Sequence, residues 1–213
     1  MLETCLAALP LVAILRGIRP EEALPVGEAL AGAGFRIIEV PLNSPEPLES
    51  IRLLARRFGD GLLVGAGTVT SPAAAGQVVE AGGRIIVMPH GDVGVIREAK
   101  RLGAFCVPGV ATPTEAFAAL TAGADALKLF PAELITPPVV KAMRAVLPQG
   151  TRLLPVGGIE PGGMAVYRAA GAAGFGLGSA LYRPGMAPAE VAERARRFVE
   201  AWRGGEQPAP ASA

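Results

Sequence analysis

The chain has 213 residues, enough for one large core; 51% are hydrophobic, and 20 cationic against 19 acidic side chains leave a net charge of +1. Its arginines are scattered rather than striped, which argues against a nucleic-acid surface, and Cys5 and Cys106 are too few and too distant for a disulfide framework or a zinc cluster. No apolar stretch is long enough to span a bilayer, and Glu3 stands where a leader would be basic, so a cytoplasmic protein acting on a small molecule without a membrane partner is expected.

Residues Leu2 to Leu9 are short and apolar on one face, suited to plugging one end of a larger body. From Leu11 the chain repeats one pattern eight times: a short apolar strand, a break rich in glycine, proline, serine or threonine, then a longer alanine-rich amphipathic stretch. The strands are expected at Leu11–Arg16, Phe35–Leu42, Leu62–Val69, Arg84–His90, Phe105–Val110, Ala126–Pro131, Arg152–Ile159 and Gly174–Leu181. Prolines 20, 45, 72, 113, 138 and 161 suit the first turns of the intervening helices, and glycines 34, 59, 82, 103, 123 and 171 suit their ends. Strands recur roughly every 20 to 25 residues, the length of one βα unit, and eight such units in strict alternation imply a parallel (β/α)8 TIM barrel. An open doubly wound sheet would need fewer strands and a glycine-rich turn after the first, where Arg16-Gly17-Ile18-Arg19 stands instead. The expected organisation is a single barrel domain over residues 1–203 with a short N-terminal helix, closed by the helix from Pro188 to Arg203, and a flexible tail over 204–213. Alanine-rich helices such as Pro113 to Ala122 leave apolar surface that predicts a homo-oligomer.

In such a barrel reactive groups stand at the C-terminal strand ends. Lys128 is one of three lysines and the only one flanked by apolar residues on both sides, in Ala126-Leu127-Lys128-Leu129-Phe130-Pro131. Burial disfavours an ammonium, so its amine is expected neutral and nucleophilic, as imine chemistry with a ketone requires. Side chains alternate along a strand, which puts Ala126 and Phe130 on the side of Lys128. Glu39, in Ile37-Ile38-Glu39-Val40, is a lone carboxylate in an apolar run and suits a proton shuttle; the competing reading is a structural ion pair with Lys128 or Arg16. Arg16 offers a fork for a carboxylate or phosphate, and Thr68, after Gly65-Ala66-Gly67, a hydroxyl where missing side chains let a ligand approach the backbone. Val156-Gly157-Gly158-Ile159 and Gly176-Leu177-Gly178-Ser179, at the ends of the last two strands, suit a phosphate site. Pro89 is placed with them at the mouth; His90, the only histidine, is expected as a polar rim residue, and no metal site is indicated.

Taken in order and spacing, Glu39, Gly65 to Thr68, Lys128 to Pro131, Gly157 with Gly158, and Gly176 to Ser179 resemble the class I aldolases of 2-keto-3-deoxy-6-phospho sugar acids, over about Leu11 to Arg203. The resemblance implies a Schiff base on Lys128, proton transfer by Glu39, a substrate-binding set of Arg16, Thr68, Pro89, Phe130, Val156, Gly157, Gly158, Gly178 and Ser179, no metal or organic cofactor, and a homotrimer. Two positions depart from the gluconate branch of that family: Asn43 stands for an arginine, which Arg16 could replace, and Val156 for a threonine. Losing that hydroxyl near C4 should weaken discrimination against the opposite C4 epimer. The competing readings are a gluconate-type or 4-hydroxy-2-oxoglutarate aldolase, a phosphate-handling barrel isomerase with Glu39 as base, and a barrel that binds without turnover.

Overall fold

The structure, a computed structural model, describes residues 1–204, so the expected tail lies outside the described residues from position 205 onward. Helix α1 (Leu2–Ala8) precedes β1 (Leu11–Ile14), and strands and helices then alternate: α2 (Pro20–Ala33), β2 (Ile37–Pro41), α3 (Pro47–Phe58), β3 (Leu63–Gly67), α4 (Pro72–Glu80), β4 (Ile85–Val87) and α5 (Val93–Arg101). The second half continues with β5 (Phe105–Val107), β6 (Gly109–Val110), α6 (Pro113–Thr121), β7 (Leu127–Leu129), α7 (Pro137–Val146), β8 (Leu153–Pro155), α8 (Met164–Ala169), β9 (Phe175–Leu177) and α9 (Pro188–Gly204).

Every expected strand is present, each shorter at its ends, and the fifth is divided into β5 and β6 at Pro108, which has no N–H to donate to a ladder. Helix starts follow local chemistry: the side chains of Ser71, Asp92 and Thr112 each accept an N–H from the first turn that follows. Three starts differ from expectation, and at one of them Pro161 opens a 3-10 turn, with α8 beginning only at Met164. Helix α3 begins at Pro47 rather than Pro45, and α7 at Pro137, one residue ahead of Pro138. The six glycines expected at helix ends all have positive φ.

All pairings are parallel and form two curled sheets, ordered β5-β4-β3-β2-β1-β9 and β6-β7-β8. Chain continuity through Pro108 joins them on one side, and a bridge between Val156 and Gly176 on the other. Alternation divides the apolar residues into two bodies. Leu11, Ala13, Ile38, Val40, Leu127 and Leu129 pack under the helices in the larger one, while Val12, Ile37, Leu63, Ile85, Val107, Ala126 and Leu154 point the other way into a smaller one. Helix α1 closes the lower end of this inner body with Leu2, Cys5 and Leu6, as expected of a plug.

Candidate active site

Because parity is fixed along each strand, Glu39 points inward above Ile37, and Lys128 above Ala126. Register sets their height: Glu39 stands opposite Ile14 on β1 and Gly65 on β3, while Lys128 stands opposite Gly109 on β6 and Leu154 on β8. Both are buried, Glu39 at 1% and Lys128 at 5% exposure. The amine lies 4.6 Å from the centroid of the Phe130 ring.

Burial is the main influence on both groups. It pushes the Glu39 carboxyl up to about 7, against the opposing pull of Lys128 and Arg16. It lowers Lys128 below the ordinary lysine range, with Glu39 opposing and Arg16 assisting. Among the described residues Glu39 Oε2 has no hydrogen-bond partner. A buried carboxyl with an unmade bond, beside a deprotonation-prone amine, is equipped to carry protons.

Above this pair opens a cleft of about 200 Å³ at the C-terminal strand ends, lined by Arg16, Lys128, Phe130, Val156, Gly157, Gly158, Gly178 and Ser179 among others. Below it lies an apolar void of about 20 Å³ that reaches down to Leu2 and Leu6, too small for a substrate; Lys128 borders both spaces, and Glu39 borders the void rather than the cleft. Arg16 is exposed and donates to Asn43 Oδ1 at 2.7 Å, so a side chain beyond the end of the neighbouring strand holds the guanidinium. The backbone N–H groups of Gly158, Gly178 and Ser179 find no backbone acceptor among the described residues, which leaves donors for an anion on that side.

Two expected binding residues do not line the cleft. Thr68 takes an unusual φ of 57° at the end of β3 and is half-buried, and Pro89 is half-buried beyond β4 with its carbonyl against Gly109. His90 is exposed at the rim, as expected. The sequence reading missed Glu133 and Glu160, which line the cleft. The Glu133 carboxylate covers Gly157, so that glycine is less open than its neighbour Gly158. Glu133 lies in the turn after Pro131, where exposed acidic residues are common and carry no pattern of their own.

With its parallel strands around an inward lysine and glutamate, the chain belongs to the KDPG and KHG aldolase family, whose profile matches residues 2–195. The members of that family are carbon–carbon lyases. It is 47% identical over 195 residues to the 2-dehydro-3-deoxy-6-phosphogalactonate aldolase of Escherichia coli, covering 92% of this chain and 95% of that one. The native KDPGal structure superimposes with a TM-score of 0.91 at 46% identity, over 92% of this chain and 96% of that one. A Legionella pneumophila KDPG aldolase with pyruvate captured as a covalent carbinolamine superimposes with a TM-score of 0.81 at 29% identity, over 93% and 98%. Among the described residues no helix is long and apolar enough to cross a membrane, and no cluster of three metal-ligating side chains occurs.

Proposed function

We propose that the chain cleaves 2-dehydro-3-deoxy-6-phospho-D-galactonate to pyruvate and D-glyceraldehyde 3-phosphate through a Schiff base on Lys128. The observation that carries this is the inward, buried Lys128 amine beside the unpartnered Glu39 carboxyl. The likeness to a galactonate-type aldolase over nearly the whole chain supports the choice of epimer. So does Val156, an apolar wall where the gluconate branch has a hydroxyl.

In this reading the neutral amine adds to the C2 ketone, and Glu39 delivers the proton that lets the carbinolamine lose water. The resulting iminium draws the C3–C4 electron pair when Glu39, directly or through a water, takes the proton of the C4 hydroxyl. The aldehyde departs, leaving an enamine; protonation at C3 and hydrolysis release pyruvate and restore the amine. Arg16, held by Asn43, takes the carboxylate end, and the free N–H groups of Gly158, Gly178 and Ser179 take the phosphate, with the Ser179 hydroxyl beside them. Phe130, Val156 and Gly157 bound the chain between these ends, while the Thr68 hydroxyl is assigned to the carboxylate end with Arg16, and Pro89 to the mouth. The route needs no metal or organic cofactor.

The two sheets are read as one closed (β/α)8 barrel, a single domain over residues 1–203 that works in the cytoplasm as a homotrimer. Exposed Phe117, Leu134, Val139, Val146 and Val166, on or beside α6 to α8, supply the surface for the trimer.

Incubation with pyruvate and borohydride, followed by digestion, should leave a reduced pyruvyl adduct on Lys128. A folded protein without the adduct would overturn the aldolase reading. Cleavage of the two C4 epimers in parallel tests the specificity, and a preference for the gluconate epimer would reverse it.

A further inference from the structure

Strand β3 turns three residues toward the inner body, Leu63, Gly65 and Gly67, and the upper two lack side chains. The two glycines answer to different neighbours. A Cβ on Gly65 would lie 1.9 Å from the backbone carbonyl oxygen of Ile85, so a side chain there would force β3 and β4 apart. A Cβ on Gly67 would lie 1.8 Å from Glu39 Oε2, 2.3 Å from Glu39 Cδ and 2.4 Å from Glu39 Oε1. Its three nearest neighbours are thus the atoms of one carboxyl group.

Backbone conformation does not explain the glycine at 67. Its φ is not in the left-handed region; that strain falls on the next residue, Thr68, at φ 57°, where a threonine stands although glycine would be easier. The motif therefore spends its glycine where room is needed. The occupant of that room is Glu39, not an incoming ligand as the sequence alone suggested.

We infer that Gly67 is a positioning residue for the reaction: its missing side chain is the seat into which the Glu39 carboxyl folds, and any side chain there displaces that carboxyl from its working place. The inference rests on the role proposed for Glu39. Displacement by about 1 Å is enough to lower turnover roughly 100-fold. The substrate's anchoring points at Arg16 and the glycine-rich rim are untouched, so KM should change little.

The test is a double-mutant cycle with Gly67→Ala, Glu39→Ala and the pair, reading kcat, KM and thermal melting of the full chain. Gly67→Ala alone should remain folded, lose about 100-fold in kcat at near-constant KM, and displace the pH profile of kcat. In the Glu39→Ala background the same alanine should cost nothing further, since its obstacle is gone. Turnover within threefold of the parent in Gly67→Ala, with Glu39→Ala inactive, would overturn the inference. So would an equal loss in both backgrounds, which would mark a structural glycine. If Gly67→Ala does not fold, the pair should, because the three nearest atoms that the added Cβ meets all belong to the Glu39 carboxyl; a pair that also fails to fold overturns the inference. Full activity in Glu39→Ala would instead remove the proposed role of Glu39 itself.

Discussion

In the proposed reaction two buried ionisable side chains set the chemistry, and each carries a cost to folding. The Glu39 carboxyl is raised from 4.5 to about 7, so the folded chain keeps that proton longer than the unfolded chain does. Its contribution to stability is complete below pH 4.5 and is lost as pH rises through about 7, on the order of 3 kcal/mol. Denaturant titrations of the parent and of Glu39→Gln across this window should therefore converge at low pH and part at high pH, with the parent falling. Curves that stay parallel would contradict the shift. Lys128, lowered by burial, acts in the opposite sense: an unfolded chain binds its proton more readily, which penalises folding at neutral pH and relents as pH rises. Replacing Lys128 with Met should abolish turnover while Tm holds or rises by roughly 3 °C, since about 1 kcal/mol moves Tm by that much at this chain length. A large fall in Tm would mean that the lysine supports the fold. Both residues were legible in sequence, because a charge in an apolar strand has few bland explanations. Glu133 was not, since an acidic residue in a turn looks the same whether or not it faces a cleft.

At the level of elements, punctuation by proline and glycine made the order of strands and helices legible, and the register could follow only from three-dimensional pairing. Pro108 shows the limit: the sequence suggested one strand over Phe105–Val110, and the missing N–H divides it in two. Thr68 is a second case: its position in the motif suggested a ligand contact, and its left-handed backbone, φ 57°, follows only from the three-dimensional structure. The first helix was readable from its single apolar face, and its worth can be measured. Leu6 is 6% exposed and packs into the inner body, so Leu6→Ala should cost about 2 kcal/mol. That corresponds to a fall in Tm of roughly 6 °C with the Lys128 adduct still forming. No change in melting would mean that α1 rests on the barrel without supporting it.

For the whole molecule, the apolar side chains left at the surface cluster on one run of the chain. Leu134 and Val166 are 76% and 57% exposed, more than a lone barrel gains from. If the proposed homotrimer uses this surface, the paired substitutions Leu134→Asp and Val166→Asp should yield single chains in sedimentation velocity while leaving the far-UV circular dichroism unchanged. An unaltered sedimentation coefficient would place the contact elsewhere.

The stopper formed by Leu2 and Leu6 covers the lower end of the interior, and among the described residues Lys128 is reached through the cleft at the C-terminal strand ends. In the proposed reaction a three-carbon stub on Lys128 would sit beneath its own departing partner, and traffic would have to be sequential. The phosphorylated aldehyde would clear the opening before water could free the pyruvate, and in the condensing direction pyruvate would be seated first. Kinetic order in this enzyme would thus be imposed by the shape of the vessel rather than by any gate.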